Sequence, residues 1–187
     1  MAISSMSTVE LPVRFEGKPV VVIMGVSGSG KSTFGQALAQ QLGLPFLEAD
    51  DFHPVSNVDK MAHAQPLTDE DRWPWLASLS EAIVEAVEKR GGVVATCSAL
   101  KRSYRRFILE GVGKPLLFVL LDGDRETLYS RMQKRSNHYM PPSLLDSQLA
   151  DLERPGADEP VVTYSIEQSI DTLLAVIIAS LSGTESS

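Results

Sequence analysis

The 187-residue chain has one cysteine, Cys97, and only 6% aromatic residues. A single thiol excludes an intrachain disulfide framework and suits a reducing compartment, so a cytoplasmic location is expected. No uninterrupted apolar run approaches the roughly 18 residues of a membrane span. Met1 to Lys18 lacks the apolar stretch of a secretory signal and carries Glu10 and Glu16; a flexible arm over 1–18 is expected instead. The small, polar end, 182–187, reads as a flexible tail. Basic residues are the minority, 17 Lys and Arg against 24 Asp and Glu, for a net charge of −7. That balance argues against nucleic acid or an anionic membrane surface as partner. His53, His63 and His138, the only histidines, have no zinc-site spacing. Any polyanionic ligand must therefore be met by a few basic residues in the right places.

What is present is an alternation of strand and helix patterns. Apolar β-branched runs at Pro19–Met24, Pro45–Ala49, Val93–Cys97, Leu116–Leu121 and Val161–Ser165 read as strands. Helical periodicity covers Ser32–Leu42, Trp73–Arg90, Leu100–Leu109, Asp124–Arg135 and Glu167–Leu181, with a further short helix after Pro141-Pro142. The expectation is a single α/β domain over 19–181, a five-stranded parallel sheet with helices on both faces. Strand order is not legible at this level. Cys97, at a strand end with no base beside it, reads as a small buried residue.

Gly25-Val26-Ser27-Gly28-Ser29-Gly30-Lys31-Ser32 matches G-x4-G-K-[ST] in full. Glycines let the backbone turn its N–H groups inward onto phosphate oxygens, and the helix that follows adds the positive end of its dipole. Lys31 suits the β- and γ-phosphates, the Ser32 hydroxyl suits Mg²⁺, and Thr33 adds a backbone N–H. The match lies between a strand and a helix, where the mechanism needs it. It implies nucleotide binding in a P-loop NTPase fold, without separating kinases from hydrolases or switch proteins.

Glu48 and Asp50 end the second strand, where α/β folds bind ligands. Asp50 is placed to accept a proton from an attacking hydroxyl and Glu48 to hold a water on Mg²⁺; the alternative for both is a solvated loop or a helix cap. His53, Lys60, Asp69, Asp71 and Arg72 follow in a stretch poor in apolar residues. Such a mixture suits a polyhydroxylated anion, acids for hydroxyls and bases for a carboxylate, although a charged surface loop has the same composition. Arg131 and Arg135 share a helix face, beside a polar segment containing Asn137 and His138.

Several stretches carry a resemblance: GVSGSGKST at Gly25–Thr33, DDFHP at Asp50–Pro54, N-x-x-K-M at Asn57–Met61 and PL-x-D-x-DR-x-PWL at Pro66–Leu76. CSALKR-x-YR at Cys97–Arg105, H-x-MP at His138–Pro141 and LL-x-SQ-x-x-x-LE-x-P at Leu144–Pro155 complete the set. In this order the chain resembles the gluconokinase family of small P-loop sugar-acid kinases. The resemblance implies ATP:D-gluconate 6-phosphotransfer on a fold like those of shikimate and nucleoside monophosphate kinases, and a homodimer. It implies Asp50 at the 6-hydroxyl, with His53, Lys60 and Arg72 lining the gluconate site. Ser98 and Lys101 would form another wall, and a mobile lid at about 134–143 would bring Arg131 and Arg135 to the nucleotide. Arg72 or Lys60 would take the carboxylate. The family often has Asp after Tyr-Arg, where this chain has Arg106. A kinase for another acid, such as shikimate, or a nucleotide-dependent switch are the competing readings.

Overall fold

The computed structural model describes residues 9–63, 65–134 and 142–183. β1 (Val20–Met24) is buried at all five positions. A strand apolar on both faces belongs inside a parallel sheet covered on both sides. β1 accordingly lies between β3 (Val93–Thr96) and β4 (Leu117–Asp122). β2 (Phe46–Glu48) lies outside β3 and β5 (Val161–Ser165) outside β4, giving the order β2-β3-β1-β4-β5 with every pair parallel. Val20 pairs with Val93, and Val21 with Leu117.

α1 (Lys31–Leu42) carries the chain from β1 outward to β2, and every later crossover runs the other way across the sheet. Since such crossovers are right-handed, α1 covers one face, and α3 (Asp69–Arg90) with α4 (Arg102–Val112) the other. α7 (Ile170–Ser182) returns to pack beside α1. The reversal is centred on β1, so the segments leaving β1, β2 and β3 open onto one crevice at the strand C-termini. There the chain makes a 3₁₀ turn at Ala49–Phe52 and then α2 (Val55–Ala62). α5 (Arg125–Gln133) and α6 (Pro142–Asp151) lie between β4 and β5.

Two expectations are corrected. The helix expected from Trp73 begins at Asp69, with Pro74 inside it. A capping box explains this: Thr68 accepts from the Asp71 N–H, the Asp71 carboxylate accepts from the Thr68 N–H, and Asp69, Glu70 and Asp71 complement the helix dipole. The arm expected to be free up to Lys18 is docked from Val9 onward. Phe15 is buried, Leu11 and Val13 pack on the core, and the Val9 N–H donates to Ser180 Oγ at 3.0 Å. Alternate apolar residues in a short segment gave it a side to bury.

Candidate active site

The glycine loop after β1 is shaped by contacts that leave no space for side chains. Gly25 has φ +139°, and a Cβ there would sit 2.7 Å from the Leu121 carbonyl. Gly28 has φ +82°, and its Cβ would meet the Leu128 carbonyl at 2.7 Å and Met132 Cγ at 2.8 Å. The loop is thus wedged against β4 and α5 in a form only glycine permits. Gly28→Ala should therefore raise the dissociation constant for ATP about tenfold or more, since a strained left-handed residue alone costs about 1–3 kcal/mol. Titration calorimetry measures this, and an unchanged affinity would refute the wedge argument.

Ser29 is 2% exposed and its Oγ has no hydrogen-bond partner among the described residues. A buried polar orphan in a glycine cradle is what an anion-binding loop leaves for its ligand. Lys31 Nζ donates to the Val26 carbonyl at 3.1 Å, across the loop. Ser32 Oγ donates to Glu48 Oε2 at 2.6 Å, and Thr96 Oγ1 donates to Glu48 Oε1. Ser32, opening α1, and Glu48, ending β2, therefore present paired hard oxygens, a donor set that fits a hydrated Mg²⁺.

Asp50 lies in the 3₁₀ turn beyond β2. Its backbone neighbour is held from two sides: the Ala49 N–H donates to Thr96 Oγ1 at 3.4 Å and the Ala49 carbonyl accepts from Trp75 Nε1 at 2.6 Å. Trp75 is buried, and it also stacks on His53. Desolvation in the crevice, then the charge of Glu48, raises the Asp50 pKa, while His53 and Lys31 oppose the rise. The Asp50 side chain is 84% solvent-exposed, so water moderates that rise. His53 Nε2 lies 4.0 Å from Asp50 Oδ1.

The basic residues divide into two groups. Lys60 Nζ donates to both oxygens of Asp71, at 2.6 and 2.8 Å, tying α2 to the capped start of α3. Lys101 Nζ donates to Asp69 Oδ1 at 2.9 Å, and Arg72 Nη1 stands 3.7 Å from the same oxygen. Tyr104 Oη accepts from Arg72 at 2.9 Å and donates to Asp69, and both cations lie 5.5 Å from its ring centre. The Tyr104 hydrogen bond, then that of Lys101, holds the Asp69 carboxyl below its ordinary range. Two cations share one carboxylate here, leaving a net positive charge. Ser98 joins this wall to the glycine loop, its carbonyl accepting from the Gly25 N–H at 3.3 Å.

Arg131 Nη2 donates to the Ile166 carbonyl, just past β5, at 2.6 Å. Arg135, and the expected lid apart from its ends at Lys134 and 142–143, lie outside the described residues. Cys97 is buried, and burial pushes its thiol up to about 12, so it remains protonated. Sequence reasoning gave no role to Asn57, Tyr104, Arg105, Gln148 or Glu159. The first four lie within the matching stretches, which was their only signal; Gln148 Oε1 accepts from the Ser27 N–H at 2.7 Å.

A parallel sheet in this order, with a glycine loop running into α1 and an acid beyond β2, defines a P-loop phosphotransferase. Residues 20–155 match the model of the AAA domain family. The chain is 51% identical over 158 residues to the gluconokinase of Gluconobacter oxydans, covering 84% of this chain and 88% of that one. It is 46% identical over 138 residues to the thermosensitive gluconokinase of Escherichia coli, covering 74% and 73%. The crystal structure of a gluconokinase from Sinorhizobium meliloti superposes with a TM-score of 0.79 at 44% identity, covering 91% of this chain and 94% of that one. The chain belongs to the gluconokinase family, and it is a kinase.

Proposed function

We propose that this chain transfers the γ-phosphoryl group of ATP to the 6-hydroxyl of D-gluconate, giving 6-phosphogluconate and ADP. The observation that carries the reading is one crevice with an acid, Asp50, beside the phosphate loop and an Arg72–Lys101 pair with surplus positive charge on another wall. Asp50 takes up or orients the proton of the attacking hydroxyl, with His53 beside it. Lys31, the glycine-loop N–H groups and Arg131 hold the nucleotide, and Arg135 is read with them as a lid arginine. Ser32, and Glu48 through a water, would hold Mg²⁺, which when bound would neutralise charge on the phosphates.

Arg72 with Lys101 takes the carboxylate. Lys60 is the weaker candidate, since Asp71 already engages it through both oxygens. Ser98 completes the wall. Transfer is in line and needs no phosphoenzyme, so positioning and charge stabilisation supply the rate. Family likeness further supports a homodimer, and the lone cysteine supports a cytoplasmic location; no described helix is long and apolar enough to cross a membrane.

The test is ADP release with Mg·ATP and D-gluconate, run beside shikimate, AMP and a no-acceptor control. Turnover with gluconate alone is the expected result. Turnover with another acceptor only would discard gluconate, and slow acceptor-independent hydrolysis would remove the kinase reading.

A further inference from the structure

α2 carries one fully buried polar side chain, Asn57, at 1% exposure, while Val55, Val58 and Met61 of the same helix are exposed. A buried amide needs partners. Asn57 Nδ2 lies 2.8 Å from the Asp71 carbonyl oxygen and 3.3 Å from His53 Nδ1. A backbone carbonyl only accepts, so the amide nitrogen, and not its oxygen, must face Asp71. That fixes the amide orientation, and the second N–H of the same nitrogen is directed at His53. Nδ1 of His53 then accepts, and the neutral ring carries its proton on Nε2.

The ring has little freedom to turn. It stacks on Trp75 with centroids 4.1 Å apart at 15°, and Trp75 is itself anchored through Nε1. Nε2 faces Asp50 Oδ1 across 4.0 Å. That gap is too wide for a direct hydrogen bond, but one oxygen spans it with two bonds of about 2.8 Å. Burial holds His53 below the usual imidazole range, reinforced by Arg72 and opposed by Asp50, which keeps the ring neutral near neutral pH.

We propose that Asn57 is a positioning residue that fixes His53 as the Nε2–H tautomer, so that His53 donates to, and Asp50 accepts from, one and the same substrate hydroxyl. The proposal rests on the reading of Asp50 as the group that meets the acceptor. It also explains selectivity for a hydroxyl: the site needs an oxygen that donates and accepts at once, which a carbonyl or ether oxygen cannot do.

Nitrogen-15 labelling of the full chain with long-range proton–nitrogen correlation reads the tautomer without any substrate. His53→Gln assigns the signals among the three histidines. The wild type is expected to show a protonated Nε2 and an unprotonated Nδ1 at His53. In Asn57→Asp the new carboxylate accepts from Nδ1 and cannot donate to it, so the tautomer should reverse. Its kcat with gluconate should fall about tenfold, the loss of one hydrogen bond in the transition state, at unchanged KM for ATP. A wild-type Nδ1–H tautomer, or an Asn57→Asp spectrum with the tautomer unchanged, would overturn the proposal. If that variant does not fold, the wild-type spectrum decides alone. The expected tautomer in a chain that does not phosphorylate gluconate would overturn the acceptor reading and leave the role of Asn57 toward His53 standing.

Discussion

Replacing Asp50 by Asn should lower kcat with gluconate by about 10²- to 10⁴-fold, the usual worth of a positioned proton acceptor, with little change in KM for ATP. The amide keeps the shape of the carboxylate but can neither take the proton nor orient it by charge. The fold should not suffer. Partial desolvation in the crevice, then Glu48, raises the Asp50 pKa above its unfolded value, a rise that solvent at the exposed side chain moderates. Above the raised folded value the ionised group opposes folding, and below the ordinary carboxylate value that penalty is gone. Removing the charge should therefore leave the melting temperature at neutral pH unchanged or slightly higher. The same direction governs the wild-type rate, whose acid limb should lie above the ordinary aspartate range and vanish in the variant. Steady-state kinetics across pH with a parallel thermal melt would decide. A variant keeping a third of wild-type kcat, or one that fails by unfolding, would remove Asp50 from its role.

The architecture was legible because each strand is a short apolar run and each βα step shows a change of period. β1 illustrates this: five consecutive apolar residues can only be covered from both faces. The phosphate loop was legible for the same local reason, since its chemistry is confined to consecutive residues. Strand order was not, because a pairing such as Val21 with Leu117 joins residues that no local pattern connects. α3 starts four residues before the span marked by apolar periodicity, because its first turn is set by the Thr68–Asp71 capping box and by polar residues that carry no such periodicity. The two uses of basic residues were likewise invisible. Lys60 and Arg72 look alike in a charged stretch, and only the fold brings Asp71 to one and Asp69 with Lys101 to the other. Asn57 carries no legible role in its motif, because its partners are His53, four residues back, and a backbone carbonyl fourteen residues on.

Glu159→Ala should destabilise the protein by about 3–5 kcal/mol, the cost of stranding one member of a buried ion pair. Arg105 is completely buried and Glu159 is 8% exposed. They meet as a fork, Nε to Oε2 at 2.6 Å and Nη2 to Oε1 at 3.0 Å, while Nη1 donates to the carbonyls of Ala99 and Leu100 at 3.1 and 3.0 Å. Ala99 is the one described non-glycine residue at positive φ, +44°, so the guanidinium clamps a strained turn from within. That turn lies between Ser98, bonded to the glycine loop, and Lys101, on the proposed carboxylate wall. Its loosening should raise KM for gluconate as well as lower the melting temperature, at roughly 2–4 °C per kcal/mol for a chain of this size. Burial alone would raise the Glu159 pKa, but Arg105 and the Gly156 N–H hold it below the ordinary value. Its stabilising share is therefore full above the unfolded glutamate pKa and is lost as pH falls through the lower folded one. Arg105→Lys tests the geometry apart from the charge: one ammonium cannot serve two carboxylate oxygens and two carbonyls in the plane of a fork. It should lose much of the stability and raise KM for gluconate despite keeping its charge. A lysine variant with wild-type melting temperature and KM would show that the charge suffices and that the turn holds itself.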